Sequence, residues 1–277
     1  MAALRVAPHR LTRPSPGRRR TPHGARRRAA RAREVVLVPD PALLLRRTLA
    51  EGLLVVPGCH DPLSARLAAG AGARAVFLAG SAVGRALFGA EGIPPSGADA
   101  YLDYARTVCR ASPVPVLVDG EDGLGDAVGL AVALADAGAA AVVVGDSSGD
   151  GVLRPAEEFA ADLAAVRRRT GLVLVARTDG LGHDRADAGR RLARYRAAGA
   201  DVVFALLTSV LTAESPAEQI ATYTRLGTAA DGALALHSRR GDELPPLSAL
   251  PASVALVLLS GLSVPRSDGH IRQALTH

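Results

Sequence analysis

Lysine is absent from this 277-residue chain, so every one of its long basic side chains is arginine. That excludes a lysine Schiff base and any lysine-attached cofactor. Tryptophan is absent too and aromatics make up only 3% of residues, so alanine, valine and leucine must build the core. Two cysteines, Cys59 and Cys109, are too few for a disulfide framework or a Cys-rich zinc site. A reducing, cytoplasmic setting is therefore the expectation. No stretch reaches the ~18 uninterrupted apolar residues of a membrane span, so no membrane is expected as a partner. No hydrophobic segment of signal-peptide type follows the arginine-rich start, so a secretory signal is not expected either.

Acids are missing from residues 1–33, which hold eleven arginines, among them Arg18-Arg19-Arg20 and Arg26-Arg27-Arg28. The whole chain carries a formal net charge of +6, so everything after this segment is net −5. The basic balance belongs to the tail. Its Arg, Pro, Ala and Gly cannot bury a core, and residues 1–33 read as a disordered tail. An arm for nucleic acid or anionic surfaces, a transit peptide and an incidental extension all fit this composition. No aromatic interleaves with the arginines, so base stacking has no platform and nucleic acid is not expected as a partner.

What the chain does have is a regular alternation from residue 40 onward. Eight short runs are rich in Val, Leu and Ala: Leu53–Val56, Ala75–Leu78, Val114–Val118, Ala140–Val144, Leu172–Ala176, Asp201–Leu206, Ala233–Leu236 and Val254–Leu259. They are mostly continuously apolar, as strands buried on both faces should be. Amphipathic stretches lie between most of them: Pro62–Ala71, Ala98–Ala111, Ala127–Ala137, Ala156–Arg169, Arg185–Ala198 and Pro216–Leu226, with Pro41–Leu49 as a leading helix. Pro62, Pro155 and Pro216 sit where helices begin, and Gly72, Gly138, Gly171, Gly199 and Gly227 where they end. Eight β/α units predict an α/β protein, a (β/α)8 TIM barrel, as a single domain over residues 34–277.

Such a barrel keeps its active site at the carboxyl ends of its strands. The residues there are Cys59, His60 and Asp61; Gly80 and Ser81; Asp119, Glu121 and Asp122; Asp146, Ser147 and Ser148; Arg177, Thr178 and Asp179; His237, Ser238 and Arg239; and Ser260. The sixth run leads instead into apolar Leu206 and Leu207. The densest cluster is Asp119 to Asp126. Its carboxylates two apart suit Mg²⁺, which takes one or two protein carboxylates and keeps several waters. A solvated acidic turn with Asp126 capping the next helix fits the same spacing. Arg177 emerges from an apolar run, either as a clamp for a carboxylate or phosphate or as a partner for Asp179. His237 could meet substrate or bond locally. Cys59 reads as a packing residue, since nothing marks a stabilised thiolate.

Four ordered motifs carry a resemblance. Val55-Val56-Pro57-Gly58-Cys59-His60-Asp61-Pro62-Leu63-Ser64-Ala65-Arg66 resembles the P-G-x-x-D-x-L-S-A opening of the isocitrate lyase / phosphoenolpyruvate mutase superfamily. Pro115–Asp126 is similar to its P-V-L-x-D-x-D-x-G-Y-G-N signature, Ala176-Arg177-Thr178-Asp179 to A-R-T-D, and Gly199–Phe204 to G-A-D-x-x-F. The resemblance covers roughly residues 50–265. It implies a barrel, a Mg²⁺ cofactor, and a small α-oxo or α-hydroxy carboxylate substrate. It implies C–C or P–C bond chemistry through an enolpyruvate-like intermediate. Carried over, Asp119 and Glu121 take the metal-site acids, with Asp146 beside them as a further metal and catalytic acid. Gly80 and Ser81 take the loop whose backbone holds the substrate carboxylate. Arg177 takes the catalytic, substrate-binding arginine, and His237 the place of a substrate-contacting Asn. A homo-oligomer is implied, with Arg266–Leu275 the candidate for an exchanged C-terminal helix.

The departures mark a divergent member. Glu121 stands where the family has Asp, Gly145 where it has the Glu of an E-D pair, and Pro95 where it has Asp. The segment Ser147-Ser148-Gly149-Asp150-Gly151-Val152 holds no Cys, Lys or His, unlike the K-K/R-C-G-H loop of the lyases. The leaving-group proton of that lyase reaction would have no evident donor. Two expectations follow: an active Mg²⁺-dependent enzyme with a divergent substrate, or an impaired barrel that binds an oxo-acid or a protein partner without turnover.

Overall fold

The structure is a computed structural model, and it describes residues 40–148, 151–206, 214–239 and 241–261. These belong to one compact unit, Pro39–His277. The disordered-tail reading of residues 1–33 and the C-terminal helix reading of Arg266–Leu275 lie outside the described residues.

A helix α1 (Pro41–Ala50) precedes β1 (Leu54–Cys59), α2 (Pro62–Gly70), β2 (Val76–Leu78), α3 (Gly80–Phe88) and α4 (Ala98–Ala111). Then follow β3 (Val116–Asp119), α5 (Ala127–Ala137), β4 (Ala141–Gly145), α6 (Ala156–Arg169), β5 (Val173–Thr178) and α7 (Arg185–Ala197). Strands β6 (Val202–Ala205), β7 (Leu234–Ser238) and β8 (Val254–Leu259) complete the set, with α8 (Pro216–Ala229) between β6 and β7. The eight strands are parallel, each pairs with the next, and β8 pairs with β1 to close the barrel.

Local chemistry explains where the helices begin. Asp61 and Ser64 form a reciprocal capping box on α2, as do Ser215 and Glu218 on α8. Asp126 accepts from the Gly129 amide at 2.9 Å and so caps α5. Two differences from the sequence reading matter. First, β1, β3, β4, β5 and β7 run one to three residues past their apolar runs. Composition marks burial, whereas the hydrogen-bonded ladder continues through the polar strand ends. Second, Gly80 and Ser81 do not lie in a loop. They form the first turn of α3, a helix hidden by its two glycines, which are poor helix formers. Gly84 is required there because a Cβ would come within 2.4 Å of the Gly92 carbonyl oxygen.

The pleat sorts each strand into two faces. One set packs inside the barrel: Leu54 and Val56, Phe77, Leu117, Val143, Val175, Phe204 and Leu258. The other, including Cys59, Val118, Val144, Ala176 and Leu236, packs against the helices. At the amino end of the barrel Asp201 draws three elements together. Its carboxylate accepts from Arg46 on α1 at 3.1 Å, from the Leu174 amide of β5 at 2.8 Å, and from Arg167 on α6.

Candidate active site

The inward positions at the carboxyl end are Asp119, Gly145, Arg177, Leu206, His237 and Ser260, two residues beyond the last interior hydrophobics of their strands. All of these but Gly145 line a cavity of about 260 Å³ that also takes Ser81 and Arg85 from α3, and Arg239 after β7. Phe77, Val143 and Phe204 form its apolar wall.

The floor is electrostatic. Asp119 Oδ2 accepts from the Gly80 amide at 3.1 Å, and Oδ1 from the Glu121 amide at 3.1 Å. Tyr101, fully buried on α4, donates to the Asp119 carbonyl at 2.5 Å. Glu121 holds φ = 51°, a left-handed conformation rare for a residue with a Cβ. Its side chain converges with Asp119 on Gly80. A Cβ at position 80 would come within 2.2 Å of Glu121 Oε1 and 3.2 Å of Asp119 Oδ2, so only glycine admits both carboxylates. Glu121 Oε1 is buried without a hydrogen-bond partner. Burial, and then the neighbouring Asp119, push the Glu121 carboxyl up to about 8 against the pull of Arg177.

Arg177 is nearly as deep, with its side chain 14% exposed. Burial works against its charge, but Asp179, Asp119 and Glu121 outweigh that and hold it ionised. It pairs with Asp179 at 3.0 Å and reaches toward Asp119 at 3.9 Å. This arginine therefore has a structural partner in Asp179 and also lines the cavity. Its guanidinium lies over Gly145, where a Cβ would come within 2.7 Å of Nη2. His237 also lines the cavity, with Nε2 2.8 Å from Ser260 Oγ. Burial lowers its pKa, keeping the imidazole neutral near pH 7.

Asp146 requires a correction. Sequence reading puts it with Asp119 and Glu121 as a metal and catalytic acid, yet its carboxylate does not line the cavity. It faces the helices and is fully buried. Oδ2 accepts from Thr178 at 2.7 Å, Tyr195 at 2.7 Å and Arg191 at 3.1 Å, and Oδ1 from the Asp179 amide at 3.1 Å. The reason is the pleat: Gly145 pairs with Arg177 and faces in, so its neighbour Asp146 faces out. Among the described residues no group of three or more His, Cys, Asp or Glu gathers as for a metal. Cys59 is buried between barrel and helices, and burial raises its thiol to about 12, which makes it a packing residue.

Sequence reading missed Arg85 as a cavity residue because it missed α3. The available signal is the four-residue spacing from Ser81, which puts both on one helix face. Ser81 lines the cavity, whereas Gly80 and Glu121 are not among its lining residues, and the Gly80 amide is given to Asp119.

The family model for phosphoenolpyruvate phosphomutase matches residues 45–241. A chloroplastic carboxyvinyl-carboxyphosphonate phosphorylmutase of Arabidopsis thaliana is 33% identical over 56% of this chain and 51% of its own length. A 2-methylisocitrate lyase of Bacillus subtilis is 30% identical over 70% of this chain and 63% of its own. The chain thus spans about half to three fifths of the length of these curated relatives. Among solved structures, phosphonopyruvate hydrolase in complex with oxalate and Mg²⁺ superposes with a TM-score of 0.73. It is 24% identical over 85% of this chain and 86% of its own, a likeness that establishes the fold. A 2,3-dimethylmalate lyase gives a TM-score of 0.71 at 24% identity, over 85% of this chain and 86% of its own. With the family model matched across most of the barrel, the chain belongs to the phosphoenolpyruvate phosphomutase family.

Proposed function

We propose that this protein is a Mg²⁺-dependent enzyme acting on a small α-oxo or α-hydroxy carboxylate, making or breaking a C–C or P–C bond through an enolpyruvate-like intermediate. One observation carries the reading. Asp119 and Glu121 bring two carboxyl groups together against Gly80, and Glu121 Oε1 is buried with no hydrogen-bond partner. With Glu121 ionised as a metal ligand, Asp119, Glu121 and Asp179 would stand against the single Arg177, an excess of negative charge that a divalent cation offsets. Two carboxylates completed by substrate and water form the donor set that Mg²⁺ accepts. A divalent cation bound there supplies electrostatic stabilisation of enolate charge. Arg177 binds the substrate anion from the opposite wall of the floor. Neutral His237 lines the same cavity beside Ser260, and the walls of Phe77, Val143 and Phe204 limit water.

Binding without turnover is the second reading, favoured by the commitment of Asp146 to its buried partners, which removes it as a proton-transfer group. A Mg²⁺-dependent screen of oxaloacetate, phosphonopyruvate, phosphoenolpyruvate and methylisocitrate separates the two, since turnover of any eliminates the second. Mg²⁺ should raise the melting temperature of the wild type and leave Glu121→Gln unmoved, with Mg²⁺-dependent turnover lost in the variant. An equal Mg²⁺ shift in both proteins sinks the metal assignment.

A further inference from the structure

The cavity holds positive charge at its rim as well as acids at its floor. Three arginines line it from separate elements, Arg177 on β5, Arg85 on α3 and Arg239 after β7, and Glu91 lines it beside Arg85. They lie at different depths. Arg177 is deep and is offset by Asp179 and Asp119. Arg85 is about one third exposed, and its side-chain ion pair is with Glu91 at 2.6 Å. Glu91 is itself 80% exposed, so solvent screens that pair and Arg85 can exchange it for a bound anion. Arg239 is exposed at the rim, and its guanidinium makes no ion pair with a carboxylate among the described residues. Its position is set from the backbone: its amide donates to Glu243 at 3.1 Å, and its carbonyl accepts from Gly261 at 2.7 Å. A cavity of about 260 Å³ falls below the ~300–1,000 Å³ of drug-sized sites, so a short molecule touching the floor also reaches the rim.

We infer that Arg85 and Arg239 form a distal anion site that selects substrates with a second acidic group beyond the oxo-acid head. This rests on the reading of the floor as an oxo-acid site. The head would sit by Asp119, Glu121 and Arg177, and the distal carboxylate or phosphonate would lie between the two rim guanidiniums, whose planar forks suit such groups.

The test uses two matched pairs: oxaloacetate with 2-oxobutanoate, and 2-oxoglutarate with 2-oxopentanoate. Each pair shares a head and differs in the distal carboxylate. Calorimetry on the full chain with Mg²⁺ should show at least one diacid bound about tenfold or more tighter than its monoacid partner. In the double variant Arg85→Gln, Arg239→Gln that ratio should fall below about threefold. Arg239→Lys, which keeps the charge, should retain a larger ratio and so separates charge loss from misfolding. The inference is overturned if the wild type shows no preference in either pair, or if the double variant keeps it. A preference that is lost in the variant but indifferent to Mg²⁺ would retain the distal site and discard the metal floor. No measurable binding of any of the four acids overturns both.

Discussion

Two glycines do more for this site than any charged residue alone. Gly80 admits Asp119 and Glu121 to the same small volume, and Gly145 leaves room for the Arg177 guanidinium. The second is the more informative to change. In Gly145→Ala the new methyl meets the far end of a flexible side chain, so Arg177 can swing aside. Unfolding free energy in urea should move by less than about 1 kcal/mol. Oxo-acid affinity should drop by about tenfold, because a displaced guanidinium loses its alignment with the substrate anion. Calorimetry showing undiminished affinity would remove Arg177 from the substrate site. At this scale the sequence shows the arginine and the acids plainly. It does not show that Gly145 and Arg177 share one space, because that contact joins residues 32 positions apart on neighbouring strands.

Among the elements, β4, β5 and α7 form a buried polar joint. Asp146 on the helix side of β4 holds Thr178 and the Asp179 amide at the end of β5, and Tyr195 and Arg191 from α7. Asp179 in turn takes Arg177 and a 2.5 Å hydrogen bond from Ser147. Asp146 therefore sets the turn that aims Arg177, although it never reaches the cavity. Asp146→Asn leaves donors facing an amide and Arg191 without its buried counter-charge. It should lower stability by about 3 kcal/mol. The Mg²⁺-induced rise in melting temperature should persist in this variant. Loss of that rise would return Asp146 to the metal site. The Arg-Thr-Asp run and Asp146 are both readable from sequence, but their directions are not. In strands apolar on both faces, hydrophobic pattern carries no parity signal, so only the register decides which neighbour points inward.

For the whole molecule, the amino end of the barrel depends on Asp201, which ties α1 and α6 to β5 and β6. Burial alone would raise the pKa of Asp201, but Arg46, the Leu174 amide and Arg167 outweigh it and lower the carboxyl below its usual range. A carboxyl depressed on folding stabilises the protein above its unfolded pKa of about 3.9 and ceases to do so as pH falls through the folded value. Asp201→Asn should therefore cost about 2–3 kcal/mol near pH 7. The gap between variant and wild type should close as pH falls through the depressed folded value, when both carry a neutral side chain there. Denaturant unfolding across pH checks this, and a gap that persists in strong acid would assign it to packing.

Sequence alone determined the barrel, because eight buried runs alternating with capped amphipathic segments leave a parallel sheet no better way to cover both faces. It also determined the chemical types at the strand ends: paired carboxylates, an arginine and a histidine. Tertiary structure decided which of them meet. It turned Asp146 away and folded Gly80 and Ser81 into a helix that brings Arg85 to the cavity. It also set Arg177 over Gly145. The division follows from range: burial and capping are written within a dozen residues, whereas parity and cavity membership depend on strand register closed across the entire barrel.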